Sequence, residues 1–377
     1  MTPLGETPSI LPRRCGDRRD GMANRLRVAL VTPGFPRDED DTSCIPPLQI
    51  ALRTLTLSHP EIDIEVVALH YPPGRREYRW HGLEIRSAGG DNRPLALRLP
   101  ALRRASAAIS RRHAREPFDL VHALWLTDTT LLGWWVARRL ELPLIATVMG
   151  QDARPANRWL RLLPLESARI TAVSERASDE LRQSLGRGAD EVIPWGLDPT
   201  DGDPPGWERR PVDLLGVGAL TPNKDYAALI EIAARLRATG RPCRTMIIGD
   251  GPRRPELEEL AAARGLSGGI RFEGHLPRED VLERMRGAKV LVHPARYEAF
   301  GFVFSEALAA GMTVVSRPVG AACASDRWLL GESVEELARA CAGVLERPPG
   351  TGAMILHTEG ETADALAALY ASAGRQR

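Results

Sequence analysis

Glu298 and Glu306 flank an apolar stretch, Ala299-Phe300-Gly301-Phe302-Val303-Phe304-Ser305, that follows Val290-Leu291-Val292-His293-Pro294. A β-branched run that stops at a proline and passes into an apolar helix leaves free N–H groups at that helix's first turn. Those groups, with the helix dipole, suit a diphosphate. Gly301 lets backbone approach such a ligand closely. One carboxylate lies in the loop and the other about two turns further on. The pair can therefore hold hydroxyl groups on either side of the diphosphate, a sugar at one and a ribose diol at the other. Lys224 follows the run Val212–Val217 and precedes a helical stretch, where it reads either as a surface lysine or as a point charge on such a diphosphate. Gly249 and Gly251, in the turn Gly249-Asp250-Gly251-Pro252, read either as plain turn glycines or as room near the same ligand. His293 reads as a core histidine at the end of its strand.

The elements that must position these groups are short. From Arg25, β-branched runs alternate with helical stretches, the pattern of parallel βαβ units. Strands are expected at Leu26–Val31, Ile62–Leu69, Leu120–Leu124, Leu144–Val148, Ile170–Val173 and Val192–Ile193, with a helix between Ile45 and Leu57. Ser174 is a plausible N-cap of the helix after Ile170–Val173. A second winding has strands at Val212–Val217, Thr245–Ile248, Ile270–Phe272, Val290–Val292 and Thr313–Val315. The fold class is thus α/β, two Rossmann-like doubly wound parallel sheets facing across a cleft, with ligands at the carboxyl ends of the strands. Residues 25–198 form the first domain, 199–211 a Pro/Gly/Asp linker and 212–361 the second. A last helix over 362–373 packs back on the first domain, and residues 1–24 read as a disordered tail.

Bulk composition agrees. A chain of 377 residues exceeds a single typical core. A formal net charge of +1 argues against nucleic-acid binding by bulk electrostatics. The five cysteines show no CxxC spacing, which fits a reducing cytosol and gives no zinc framework. No apolar run approaches the roughly 18 residues needed to span a bilayer. The acidic run Asp38-Glu39-Asp40-Asp41 reads as solvated, with a metal motif as the lesser alternative. Over residues 101–115, Leu102, Ala105 and Ile109 fall on one helix face, with Arg103, Arg104, Arg111 and Arg115 largely opposite. That face reads as solvated arginines, with weak contact to a membrane surface as the second reading.

The pair Glu298-x7-Glu306 in its Glu-x-Phe-Gly frame resembles the signature of the retaining GT-B glycosyltransferases of family 4. Gly216-Val217-Gly218-Ala219-Leu220-Thr221-Pro222-Asn223-Lys224 is similar to that family's Gly-x-Leu-x-x-x-Lys loop, and Ile247-Ile248-Gly249-Asp250-Gly251-Pro252 to its Gly-Asp-Gly-Pro turn. Ile270 to Leu276 resembles the loop that meets the nucleotide base. The likeness is strong over Val212–Ser316 and weaker over Arg25–Asp198.

The resemblance implies a glycosyl transfer from a nucleoside-diphosphate sugar to an acceptor hydroxyl, with retention and without a metal or other cofactor. It implies Lys224, Glu298, Asp152 and His122 as catalytic residues. Donor binding falls to Gly34, Lys224, Gly249, Gly251, His275, Leu276, Glu298, Phe300, Gly301, Phe302 and Glu306. The expected place is the cytoplasm, or the inner face of its membrane. Ala219, Leu124 and Met149 depart from the pattern, the first where many relatives place an arginine, the others where they place histidines. Rival readings are a non-catalytic sugar-nucleotide-binding protein, a GT-B epimerase or phosphorylase, and a metal-dependent phosphoesterase on Asp38–Asp41.

Overall fold

The structure, a computed structural model, describes residues 25–91, 95–199 and 202–375. The tail expected over 1–24 lies outside the described residues.

The first sheet contains β1 (Leu26–Gly34), β2 (Ile62–Tyr71), β3 (Arg75–Trp80), β4 (Leu83–Ala88), β5 (Leu120–Leu124), β6 (Leu144–Val148), β7 (Ala168–Ala172) and β8 (Glu191–Val192), in the order β3-β4-β2-β1-β5-β6-β7-β8. Its helices are α1 (Pro46–Ser58), α2 (Leu95–His113), α3 (Asp128–Leu140) and α4 (Glu175–Leu185). Every pairing is parallel except β3 with β4. β5 and β6 are buried along their whole length. Helices cover both faces of such strands, which is why they read as unbroken apolar runs rather than alternating ones. β3 and β4 were not anticipated from the sequence. His81 and Gly82 both take positive φ (43° and 86°) at their two-residue turn, the geometry that matches the twist of a hairpin.

The second sheet contains β9 (Val212–Val217), β10 (Thr245–Ile248), β11 (Ile270–Gly274), β12 (Ala288–His293), β13 (Thr313–Ser316) and β14 (Trp328–Leu330). Its helices are α5 (Tyr226–Ala238), α6 (Arg254–Ala263), α7 (Arg278–Arg286), α8 (Phe302–Ala309) and α9 (Val334–Glu346). The strand order β11-β10-β9-β12-β13-β14 runs outward in both directions from β9 and β12. Connections from these two central strands diverge, opening a crevice at their carboxyl ends.

The final helix, α10 (Glu359–Gly374), begins at a capping box between Thr358 and Glu361 and lies on α1. Leu366, Leu369 and Tyr370 are buried in one cluster with Leu48, Leu52 and Leu55 of α1. Burying side chains of this size contributes roughly 1.5–3 kcal/mol each, so α10 is held to the first domain by its apolar face. Thr54 of α1 adds a polar tie, donating to Glu359 at 2.9 Å.

Candidate functional site

The chemistry-bearing groups of the second domain gather at the β9/β12 switch point. His293 is the last residue of β12 and is 1% exposed. Its Nε2 lies 3.0 Å from Oε1 of Glu298, and Lys224 in the loop after β9 ion-pairs with the same oxygen. Burial alone would raise the Glu298 carboxyl. The His293 hydrogen bond and the Lys224 charge outweigh it and bring the carboxyl down to about 2. Burial lowers the imidazole of His293, so it is neutral near pH 7 and donates Nε2–H to the carboxylate. The loops are also stitched together. Asn223 donates to the Tyr297 carbonyl at 2.9 Å and accepts the Arg296 N–H at 2.9 Å. Asp225 receives Arg296 at 3.2 Å and Arg317 at 2.8 Å. Loops after β9, β12 and β13 are thereby fixed to one another around Lys224 and Glu298.

Beyond Glu298 the chain turns into α8 through Gly301 at φ 80°. A Cβ there would meet the Phe304 ring at 2.4 Å, so both the backbone and the packing demand glycine. No side chain caps the helix, so its leading N–H groups have no side-chain acceptor of their own. Glu306 lies on α8 with one oxygen 2.9 Å from Nη2 and 3.1 Å from Nε of Arg278, the first residue of α7. Burial pushes the Glu306 carboxyl up, and the Arg278 charge opposes that. The two line a cavity of about 700 Å³ whose other wall, with Arg53 and Thr54, comes from α1 of the first domain.

Other expected site residues are placed as follows. His275 is exposed and Leu276 half-buried in the loop after β11. Gly249 and Gly251 let the loops after β9 and β10 touch: added Cβ atoms would lie 2.0 Å from the Gly218 carbonyl oxygen and 2.6 Å from that of Leu220. Their tight neighbours are thus backbone. Gly34 ends β1 against Tyr71 and Cys44. Phe302 is half-buried, whereas Phe300 is buried in a cluster of the first domain with Phe35, Met149 and Trp195.

Phe300 is part of a wider docking of the 294–301 loop onto the first domain. Ser174 Oγ donates to the Ala299 carbonyl at 3.0 Å, and Tyr297 OH donates to Glu180 at 3.1 Å. The Arg154 guanidinium lies 4.6 Å over the Tyr297 ring. Gly150 faces Ala299 so closely that a Cβ would sit 2.0 Å from the alanine methyl.

Two expectations need correction. His122 is 2% exposed, inside the core, with Nδ1 2.8 Å from Tyr370 OH and Nε2 2.6 Å from Thr147 Oγ1. Burial presses its pKa down to about 3, leaving a neutral, fully partnered ring with no route to a substrate. Asp152 is 5% exposed, and its carboxylate accepts the N–H groups of Leu126, Met149 and Gly150 at 2.8, 3.1 and 2.6 Å. It knots the loops after β5 and β6, with both oxygens held by backbone N–H groups inside the core. In the acidic run, Asp41 is buried and accepts Tyr71 OH at 2.6 Å. Among the described residues no group of three or more His, Cys, Asp or Glu side chains is arranged to hold a metal ion.

Comparison with known proteins bears on both domains. Residues 201–325 match the family described as Glycosyl transferases group 1, and residues 56–201 match Glycosyltransferase Family 4. The chain is 30% identical to α-D-kanosaminyltransferase of Streptomyces kanamyceticus over 193 residues, which are 51% of this chain and 47% of that protein. It is 33% identical to D-inositol 3-phosphate glycosyltransferase of Geodermatophilus obscurus over 256 residues, 57% of this chain and 56% of that one. The chain spans about half the length of these relatives. Among solved structures, Anabaena HepE in complex with UDP and glucose superposes with a TM-score of 0.62 at 16% identity, over 93% of this chain and 98% of that one. Sucrose-phosphate synthase of Thermosynechococcus elongatus gives 0.67 at 18% identity, over 93% and 97%. The fold is the two-domain GT-B arrangement.

Proposed function

We propose that this chain, a GT-B protein whose halves match glycosyltransferase families, moves a glycosyl group from a nucleoside-diphosphate sugar to an acceptor hydroxyl. The observation that carries the reading is the cluster Lys224–Glu298–His293 at the carboxyl ends of β9 and β12, just ahead of the uncapped N-terminus of α8. Lys224 and the helix N–H groups stabilise the departing diphosphate. Glu298, held by His293, binds hydroxyls of the transferred sugar. Glu306 holds the ribose diol, and the loop at His275 and Leu276 meets the base.

Transfer proceeds with retention. The bond from the anomeric carbon to the diphosphate oxygen breaks, the acceptor oxygen attacks from the same face, and the acceptor proton passes to the departing phosphate oxygen. Lys224 and the helix dipole supply the neutralising charge, so no metal takes part. The contacts of Tyr297, Ala299 and Phe300 with the first domain close the cleft and exclude water. The reading places the protein in the cytoplasm. No helix among the described residues is long and apolar enough to cross a membrane.

A panel of nucleotide sugars tests the donor assignment, because a ligand that binds only the native chain raises its melting temperature. A hit is then incubated with hydroxyl acceptors, with and without a chelator, and the anomeric configuration of the product is read by NMR. Binding with no transfer to any acceptor overturns the enzymatic reading, and loss of turnover in the chelator overturns metal independence.

A further inference from the structure

The outer edge of the first domain carries a second concavity, about 540 Å³ in volume, between the β3–β4 hairpin and α2. Its floor is apolar, with Val67 of β2, Ala88 of β4, and Ala105 and Ala108 of α2. Its rim is mostly cationic, with Glu77 of β3 a carboxylate among the guanidinium groups. Arg75 and Arg76 come from β3, Arg86 from β4, and Arg103, Arg104 and Arg111 from α2.

Most of this charge is not neutralised internally. Arg86 is shared between Glu77 (3.3 Å) and Glu65 (3.6 Å), and Glu65 is taken more closely by Arg112 at 2.9 Å. Asp91, at the hairpin end, accepts the Gly74 N–H at 3.0 Å. No ion pair among the described residues engages Arg75, Arg76, Arg103 or Arg111. Arg104 donates through Nη2 to the Ala88 carbonyl at 3.1 Å, while its buried Nε has no hydrogen-bond partner. Two hydrogen-bonded strands and a helix bring six guanidinium groups around one apolar-floored hollow.

We propose that this groove is a binding site, separate from the cleft, for a phosphate-bearing ligand whose charge is taken by Arg76, Arg103 and Arg111 and whose non-polar part lies on Val67, Ala88 and Ala105. Guanidinium forks match phosphate oxygens in bidentate fashion, and the ring of like charge supplies the long-range attraction. The phosphate belongs either to a free soluble compound or to a lipid headgroup.

The test uses the full chain with two probes, inorganic pyrophosphate followed by calorimetry and sedimentation with vesicles of anionic or neutral phospholipid. Because a diphosphate also suits the cleft, Lys224→Ala removes that background, and groove binding persists in it. Arg76→Ala/Arg103→Ala/Arg111→Ala weakens pyrophosphate binding about tenfold or more, while Arg138→Ala/Arg139→Ala/Arg161→Ala, an equal loss of charge elsewhere on the same domain, leaves it unchanged. Loss confined to anionic vesicles in the groove variant assigns the phosphate to lipid, and loss confined to pyrophosphate assigns it to a free compound. Equal binding by the groove variant and the parent, or equal effects in the two triple variants, overturns the proposal.

Discussion

His293 reaches Glu298 from within the sheet, its Nε2 3.0 Å from the Glu298 oxygen that also pairs with Lys224. A carboxylate held from two sides stays ionised far into acid, consistent with its fall to about 2. His293→Phe keeps the packing against Phe304 but removes one hold. Donor turnover is expected to fall about tenfold, and an acid limb absent from the parent should appear in the pH–rate profile. The variant's limb is the decisive readout, since a purely structural histidine would lower stability without moving it.

Glu306 and Arg278 form a mostly buried pair, with side chains 12% and 23% exposed. Truncating one member leaves the other charge uncompensated. Arg278→Ala should cost roughly 2 kcal/mol in urea unfolding and weaken nucleotide binding. Arg278→Met/Glu306→Gln should recover most of the stability but not the binding. Recovery of both would show that Glu306 does not touch the nucleotide.

The two wound halves were legible because strands buried on both faces read as continuous apolar runs, and β5 and β6 match their expected bounds residue for residue. The β3–β4 hairpin was not, because its outer strand Arg75-Arg76-Glu77-Tyr78-Arg79-Trp80 is polar at nearly every position and its turn is His-Gly rather than Asn-Gly. Within the site, Glu298, Lys224 and Gly301 stood out by spacing. His293 and Arg278 did not, since each becomes meaningful only through a partner that the strand order brings alongside. His122 and Asp152 misled for the converse reason. Both sit near the carboxyl ends of central strands, yet Tyr370 from α10 and the N–H groups of three loop residues consume their polar atoms.

Gly150 and Ala299 meet across the domain boundary with no space for a further methyl group. Gly150 also takes φ 144°, which side-chain-bearing residues rarely adopt. Gly150→Ala should therefore displace the 294–301 loop and hold the domains apart. Small-angle scattering should show a larger radius of gyration, and turnover should fall by more than donor affinity does, because closure rather than donor capture is impaired. Unchanged scattering with unchanged turnover would mean that this contact is not part of closure.

Stability should fall on mild acidification, and the cause can be localised. His122 is neutral in the folded chain, with its pKa pressed to about 3 by burial, against 6.5 for the ordinary side chain. Below pH 6.5 the unfolded chain takes up a proton that the folded chain refuses. The contribution is intact above 6.5 and declines by about 1.4 kcal/mol per pH unit as pH falls toward 3. His293, also lowered by burial, acts in the same direction. His59 acts oppositely: Asp364 and Glu61 raise it, so its contribution is full below 6.5 and is lost as pH rises. Glu298 adds its own loss only below about 4.5, where its unfolded form protonates. Between pH 6.5 and 5 the His122 share is roughly 2 kcal/mol. His122→Gln should be less stable than the parent at pH 8, where Tyr370 and Thr147 lose their shared partner, yet it should lose less on acidification. Urea midpoints at pH 8, 6.5 and 5 measure both slopes. Parallel slopes would place the proton uptake elsewhere, and a slope reduced by that amount would assign it to the ring between Tyr370 and Thr147.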